Sequence, residues 1–322
     1  MSAMGALRSR RAWLLGVGAA GLSGCATWAE PPQSAALALA APLGLPPRAE
    51  LRSVPFFPQT PYHCGPAALA TALVHVGIAV TPEQLADAVF LPTREGALQV
   101  EMLAAARRSG ALAVPLSPQL AALFAEVAAG HAVVVLQNLG LAIAPRWHYA
   151  VLVGYDLAAR EVVLRSGTTE REVMGFALFE RTWARGMHWA FVALPPGRLP
   201  VGATEVDAVQ AAIAFERVAA SAQAQRAYDS VVARWPGNAL AGLGQGNARF
   251  AGGDIAGAAA AFERVALLHD NAAAWHNLGL ARWRLGQADA ARKAAERALA
   301  RAQQAEPAWR EAAAALWRQV QP

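Results

Sequence analysis

The chain has 322 residues, a net charge of +5 and a sequence pI near 9.8. Its basic residues are scattered and form no dense blocks with interleaved aromatic residues, so we expect no nucleic-acid partner. Hydrophobic residues make up 55% of the chain, but alanine dominates them, and alanine is a helix former more than a core filler. Length and composition therefore predict a globular protein of two parts.

The first 25 residues have the pattern of a lipoprotein signal peptide. Three arginines precede a short apolar run (residues 12–21), and Leu22–Cys25 matches the bacterial lipobox. The apolar run is too short to span a bilayer, which excludes a transmembrane helix. We expect Cys25 to carry lipid and to anchor the protein to a membrane of the cell envelope. Alanine, not aspartate, follows Cys25, which favours the outer membrane, facing the periplasm. Residues 26–50 are expected to be a tether.

Cys64 lies where a proline-punctuated segment meets a run of good helix formers. The pattern predicts a helix from Cys64 to about Val76, ended by Gly77. Unpaired N–H groups at a helix start favour a thiolate over a thiol. Because Cys25 would be consumed by lipid, we interpret Cys64 as a free nucleophile and not as a buried structural cysteine.

Periodicity along residues 51–200 predicts helices first and antiparallel strands afterwards. The predicted helices cover residues 64–76, 81–90, 97–109, 117–130 and 176–184, and the predicted strands cover residues 111–115, 132–136, 148–155, 161–166 and 188–194. This order is typical of an α+β domain.

Two motifs in this part carry chemistry. The first is Gln59–Leu69, with Cys-Gly-Pro-Ala at the helix start, and the second is the strand His148–Asp156. Together they resemble the papain-like peptidases that cut double-glycine leaders from bacteriocins, and the stand-alone relatives of those enzymes. The resemblance covers nearly all of residues 51–195. It implies a papain-like fold and amide hydrolysis through a thioester, with Cys64 as nucleophile, His148 as acid and base, and Gln59 as oxyanion donor.

The sequence departs from the family pattern at two positions. Gln59 lies five residues before Cys64, whereas six is usual in the family. The aspartate that normally orients the histidine from the next strand is missing, and Asp156 is about 26 Å from His148 along one strand. Ser166, the Thr168–Thr169 pair and Asn138 are alternative neutral orienters. We therefore predict a dyad with a polar helper, and a slow or highly selective enzyme.

The sequence gives no sign of a metal or a nucleotide cofactor. The remaining histidines have no carboxylates or cysteines at metal-ligand spacing. Gly242, Gly244 and Gly246 lie in a helical repeat and do not form a phosphate loop. We expect no cofactor and no metal.

Residues 201–322 contain a helical repeat. Tyr228 and Phe262 are one 34-residue period apart, and so are Gly252 and Gly286. The pattern resembles tetratricopeptide repeats, with two clear units and partial ones on either side. The resemblance implies an all-α domain whose groove binds a peptide or protein partner. The alternative is an appendage that only stabilises the first domain.

These observations predict an envelope-anchored cysteine peptidase whose peptide or protein substrate is docked by the repeats. One alternative is acyl transfer to an amine (transpeptidation) instead of hydrolysis. Another is a non-catalytic adaptor in which the papain-like domain only grips an extended peptide. The intact Gln59, Cys64 and His148 favour the enzyme, while the missing carboxylate favours the adaptor.

Overall fold

The computed structural model describes residues 29–40, 44–59, 63–91 and 96–321. The predicted signal peptide and Cys25 lie outside these residues. The helices of the described part are α1 (Pro32–Leu39), α2 (Cys64–His75), α3 (Pro82–Val89), α4 (Gln99–Arg108), α5 (Leu120–Ala128), α6 (Phe176–Arg185), α7 (Glu205–Glu216), α8 (Ser221–Arg234), α9 (Ala239–Ala251), α10 (Ile255–His269), α11 (Ala272–Arg284), α12 (Ala288–Gln304) and α13 (Arg310–Gln319). The strands are β1 (Arg48–Glu50), β2 (Phe90–Leu91), β3 (Gly96–Ala97), β4 (Leu112–Pro115), β5 (Val133–Asn138), β6 (Trp147–Asp156), β7 (Glu161–Ser166), β8 (Thr169–Gly175) and β9 (Ala190–Leu194).

One antiparallel sheet organises the first part of the chain. Its strand order is β4-β9-β5-β6-β7-β8, and β1 pairs with the end of β6. The strands β5, β6, β7 and β9 are nearly continuous apolar runs because helices cover both faces of the sheet. Helices that precede an antiparallel sheet confirm the α+β class predicted from the sequence.

The helix α2 packs across one face of the sheet and is buried along most of its length. Leu69 and Leu73 share a core with Tyr149 and Val151 of β6. Alanines fill the rest of the helix surface, which lets it lie close to its neighbours. A Cβ atom on Gly65 would come within 2.7 Å of the Cβ of Ala97, so the start of α2 has no room for a side chain at this position.

The other face of the sheet carries α5 and α6 and is also covered by the first helices of the repeat region. Phe124 and Trp183 belong to the same core as Phe215 of α7 and Tyr228 of α8. The backbone N–H of Gly202 donates to the buried carboxylate of Glu126 at 2.9 Å. The change of architecture at residues 200–201 is therefore not a break in the hydrophobic core.

Helices α7 to α12 form three antiparallel helix pairs, and α13 packs against the last of them. Their close packing depends on glycine. A Cβ atom on Gly244 would overlap the ring of Tyr228, and one on Gly246 would overlap the ring of Phe262. This arrangement confirms the predicted all-α repeat domain.

The prediction of a tether over residues 26–50 is wrong for two segments. Residues 32–39 form α1, whose first turn is bound by the buried carboxylate of Glu180. That carboxylate accepts from the backbone and hydroxyl of Ser34, both at 2.6 Å, and from the backbone N–H of Gln33 at 3.0 Å. Residues 48–50 pair with β6. Apolar residues of this segment, whose composition resembles a linker, pack against the core, as Leu37 does.

Candidate active site

Cys64 is the first residue of α2, and its side chain faces the main chain of β6. Three backbone N–H groups act to lower the pKa of the thiol, those of Tyr149, Gly65 and Cys64 itself. Burial acts in the opposite direction and dominates, so the pKa of the Cys64 thiol is raised. The predicted stabilisation of a thiolate at the helix start is therefore wrong as a net effect, because the amides do not offset desolvation.

Gln59 reaches the same point from the loop before α2. Strand β7 pairs with β6 only as far as Val151, so the edge of β6 before that residue is left open to this loop. The backbone N–H of Gln59 donates to the carbonyl of Gly167 at 3.0 Å, and its side-chain Nε2 donates to the carbonyl of Tyr149 at 3.4 Å. The Gln59 amide and the Cys64 thiol thus lie against the two backbone groups of one residue, Tyr149.

His148 immediately precedes Tyr149 and is held from the next strand. Its ring Nε2 lies 2.9 Å from the hydroxyl of Ser166, which is 6% exposed. Burial lowers the pKa of the imidazole, and Arg146 lowers it further, while the charge of Glu172 raises it. Among the described residues, no hydrogen bond joins the ring to Cys64, and Nδ1 is the ring nitrogen that Ser166 leaves available.

The candidate orienters occupy different places. Ser166 contacts the imidazole, at the position where the sequence resemblance implies an aspartate. The side-chain oxygen of Asn138 instead accepts from the backbone N–H groups of Gly140 and Arg146, each at 2.9 Å. Asn138 therefore shapes the turn between β5 and β6 and does not contact the ring of His148.

Sequence reasoning missed Glu172 because it missed its strand. Glu172 lies on β8, opposite Leu164 of β7, and its carboxylate charge acts on His148. The segment Thr169–Gly175 alternates charged and apolar residues only weakly, and its exposed face is strongly polar. The turn residue Gly167, at a φ of +55°, was the local signal for a hairpin that continues into another strand.

Arg165 was also missed, although a charged residue inside a buried strand is a visible signal. Its guanidinium is buried and donates to the carbonyls of Val54 at 3.2 Å, Glu170 at 2.7 Å and Arg52 at 3.4 Å. These bonds tie the loop that leads to Gln59 to the strand that carries Ser166. Arg165 thereby positions two sides of the candidate site.

The described residues contain neither a metal-binding cluster nor a membrane-spanning helix. No group of three or more His, Cys, Asp or Glu side chains is arranged there to hold a metal ion. None of the helices in that part of the chain has the length and apolar character needed to cross a bilayer.

Residues 51–186 match the model of a family described as the Peptidase_C39 like family. No match was found among the curated proteins.

Three solved structures resemble parts of the chain. A C39-like peptidase from Bacillus anthracis shares 20% identity over 46% of this chain and 97% of its own, with a TM-score of 0.39. A double glycine motif protease from an AMS/PCAT transporter, in complex with the leader peptide, shares 20% identity over 46% of this chain and 98% of its own, with a TM-score of 0.34. The first TPR of Spaghetti (RPAP3), bound to an HSP90 peptide, shares 18% identity over 36% of this chain and 89% of its own, with a TM-score of 0.33.

Proposed function

Because residues 51–186 match the model of the Peptidase_C39 like family, we propose that this protein is a cysteine peptidase that hydrolyses an amide bond in a peptide or protein. One observation carries the proposal. Gln59 and Cys64 meet the main chain of Tyr149, and the adjacent His148 is held through Nε2 by Ser166. The candidate nucleophile and oxyanion donor thus meet at one residue of β6, and the candidate base is the preceding residue of the same strand.

In the proposed reaction, Nε2–H of His148 donates to the Ser166 hydroxyl, which leaves Nδ1 as the proton acceptor. The Cys64 sulfur attacks the substrate carbonyl carbon while its proton moves to Nδ1. The imidazolium then gives that proton to the leaving amine, and a thioester remains on Cys64. Water attacks the thioester with His148 as base, which releases the acid and the thiol.

The negative oxygen of each tetrahedral intermediate needs two donors. Nε2 of Gln59 and the backbone N–H of Cys64 are the proposed pair. The bond from Gln59 to the Tyr149 carbonyl is long at 3.4 Å, so it can be exchanged for a bond to a substrate oxygen at low energetic cost. Gln59 would then turn from a structural contact into a catalytic one when substrate binds.

The pKa directions favour a general-base mechanism over a preformed ion pair. A raised thiol pKa and a lowered imidazole pKa both favour the neutral pair at pH 7. The proton must therefore move during attack on the carbonyl. A neutral Ser166 fixes the ring but stabilises the imidazolium less than a carboxylate would, which fits a slow or highly selective enzyme.

A thiol-reactive peptide probe tests the catalytic proposal. Wild-type protein should be labelled at Cys64, while labelling should fall strongly in His148→Ala and disappear in Cys64→Ala. Unchanged labelling in His148→Ala would contradict base activation by the imidazole. The substrate can then be sought by comparing secreted and envelope peptides from wild-type cells and cells carrying Cys64→Ala.

The proposed function also includes a lipid anchor on Cys25, in the outer membrane and facing the periplasm. The support is the lipobox pattern Leu22–Cys25. Incorporation of a labelled fatty acid should occur in the wild-type chain and not in Cys25→Ser. If the Cys25→Ser variant still incorporated the fatty acid, the proposed lipid anchor on Cys25 would be wrong.

We assign substrate docking to the repeats, with Asn247 of α9 and Asn277 of α11 as the candidate contacts. The Nδ2 group of Asn277 donates to Oδ1 of Asn247 at 3.2 Å, so two amide side chains lie side by side on neighbouring helix pairs. Such amides both donate to and accept from a peptide backbone. The double variant Asn247→Ala, Asn277→Ala should raise KM for the substrate with kcat unchanged, whereas Gln303→Ala at the far end of α12 should change neither.

A second candidate, a non-catalytic peptide-binding adaptor, is favoured by the raised pKa of Cys64 together with the neutral Ser166. Both reduce the readiness of the thiol to attack. An adaptor would bind the probe peptide reversibly and equally well in wild type and Cys64→Ala. Covalent labelling that depends on His148 would exclude it. Transpeptidation is distinguished from hydrolysis by adding an amine and looking for the amide product by mass spectrometry.

A further inference from the structure

The turn between β5 and β6 presents large apolar side chains to solvent. Ile143 is 92% exposed, Leu141 is 67% exposed, and Trp147 at the start of β6 is 55% exposed. Met187, which follows α6, is 81% exposed. We call these four residues the apolar tip. Clusters of this kind on a folded surface mark a site that is covered by something else.

Contacts at the base of the turn bring the four residues together. Strand pairing places Trp147 opposite Asn138. Arg185, at the end of α6, donates through Nε to the carbonyl of Asn138 at 3.0 Å. Met187 follows Arg185 by two residues, so it lies in the same region of the surface.

Hydrogen bonds fix the conformation of this turn, so the exposure of its apolar side chains is a defined feature of the fold. Asn138 accepts from the backbone N–H groups of Gly140 and Arg146, and the N–H of Leu139 donates to the carbonyl of Arg146 at 2.9 Å. A Cβ atom on Gly140 would overlap the carbonyl of Ala144, so the turn also uses the absence of a side chain there. Leu141 and Ile143 point outward from this fixed turn, so their side chains do not contribute to the hydrophobic core.

The charged side chains nearest the apolar tip are basic, and the one acidic residue of α6, Glu180, is buried against α1. Residues 139–147 contain no acidic residue and one basic residue, Arg146. Arg181 and Arg185 follow on the neighbouring stretch of α6. Apolar side chains with a tryptophan and flanking arginines are the composition that lies at the interface of a bilayer with anionic headgroups.

The start of the described chain lies along α6, between the apolar tip and the turn that joins β6 to β7, where Arg160 pairs with Glu30. The guanidinium of Arg181 donates to the carbonyl of Ala29 at 3.0 Å. Arg181 is about one helical turn, or roughly 6 Å, from Arg185 along α6. Cys25 is four residues before Ala29, a stretch that spans at most about 14 Å when extended. A lipid on Cys25 would therefore hold the bilayer close to α6, the helix whose end contributes to the apolar tip.

We propose that the apolar tip enters the interfacial layer of the bilayer that holds the lipid on Cys25. This inference rests on the proposed lipid anchor. Since His148 directly follows Trp147, the docked protein holds its catalytic site at the headgroup layer. The substrates it would favour are peptides or proteins whose cleavable bond lies at a membrane surface.

Vesicle binding tests the proposal independently of lipidation and of activity. The full chain carrying Cys25→Ser is mixed with vesicles of phosphatidylethanolamine and phosphatidylglycerol, and the bound fraction is measured by sedimentation. Adding Ile143→Asp should weaken binding about tenfold or more, because a charge replaces a side chain that enters the interface. Adding Leu267→Asp is the matched control, since Leu267 of α10 is 71% exposed but remote from the tip, and binding should not change.

Three results would overturn the proposal. The first is an absence of vesicle binding by the Cys25→Ser chain, and the second is an equal loss of binding in Ile143→Asp and Leu267→Asp. The third is a loss of peptide-probe labelling at Cys64 in Ile143→Asp when no vesicles are present, which would assign the tip to the substrate. These results can be distinguished from a failure of the peptidase proposal. In that case the Cys25→Ser chain would show no labelling that depends on His148, but it would still bind vesicles.

Discussion

The hydroxyl of Ser166 lies 2.9 Å from Nε2 of His148, and the proposed reaction depends on that contact. Ser166→Ala removes the hydrogen bond, which is worth about 1 kcal/mol, and frees the ring to rotate. We expect kcat/KM, or the rate of probe labelling at Cys64, to fall about tenfold with KM little changed. Ser166→Thr keeps a hydroxyl and should restore most of the rate.

A purely structural effect of the Ser166 substitutions would show elsewhere. Ser230→Ala is the control, because that hydroxyl donates only to the carbonyl of Ala227 within its own helix. Wild-type rates in Ser166→Ala, or equal losses in Ser230→Ala, would contradict a positioning role for Ser166.

The ionisation of Cys64 is a second property that belongs to single residues. Burial raises the thiol pKa above its ordinary value of 9.0, so the thiolate is scarce at neutral pH. With Cys25→Ser in place, the rate of alkylation by iodoacetamide should climb about tenfold per pH unit through pH 7 to 9. A preformed thiolate–imidazolium pair would instead give a high rate that is flat across this range and collapses in His148→Ala.

At the level of elements, the close contact between α2 and β3 limits what the start of α2 can hold. An alanine at Gly65 would place its methyl group 2.7 Å from the Cβ of Ala97 and 3.4 Å from Sδ of Met102. Overpacking of this kind costs about 1–3 kcal/mol. Urea denaturation of Gly65→Ala should show that loss, together with slower probe labelling because Cys64 is the neighbouring residue.

Gly237→Ala supplies the comparison for Gly65. A Cβ atom at Gly237 would have no heavy atom within 4 Å, so we expect its free energy of unfolding to stay within about 0.5 kcal/mol of wild type. If the two alanine variants were equally stable, α2 would not be as tightly seated as the contacts indicate.

The elements that could be predicted from the sequence are those with strong local signals. The alanine-rich run from Cys64 predicts α2, and the β-branched run Val133–Leu136 predicts β5, because each pattern reflects burial on all sides. β8 was missed because it is an edge strand with a polar face. The sequence predicts a tether in place of α1, because the packing of this helix depends on Glu180, a residue more than 140 positions away.

The sequence could name the candidates for the histidine's partner but could not choose among them. That choice depends on register, and the pairing of β6 with β7 shifts by one residue between Leu152 and Gly154. A shift of one residue changes which side chains of β7 lie on the same face as His148. Burial of Cys64 is likewise a tertiary property, which is why the helix start alone predicts the wrong direction for its pKa.

At the level of the whole molecule, the shared core makes the sheet-containing part of the chain depend on the first repeat helices. Phe215 and Tyr228 are fully buried in the cluster that also contains the sheet residue Val114. Losing such side chains costs about 2–5 kcal/mol each, which is comparable with the stability of a domain. Residues 29–200 expressed alone should therefore be insoluble or unfold well below the full chain in a thermal melt.

Extension to residue 236 restores α7 and α8 and is the matched comparison. This longer piece should be soluble and unfold cooperatively. If residues 29–200 were as stable as residues 29–236, the helices would be a separate domain, and their contact with the sheet would contribute little. The first helix pair thus fits the stabilising role considered for the repeats, while Asn247 and Asn277 lie on the later pairs that remain for docking.

The clamp of Glu180 on α1 has a mechanical consequence. Tension on the chain at Ala29 is received by Arg181 of α6 and then by the bonds from Gln33 and Ser34 to Glu180 of the same helix, which packs on β5 beside the candidate site. Under the proposed lipid anchor, a pull on this end would therefore be carried by the folded part of the chain and would reach the sheet through one helix.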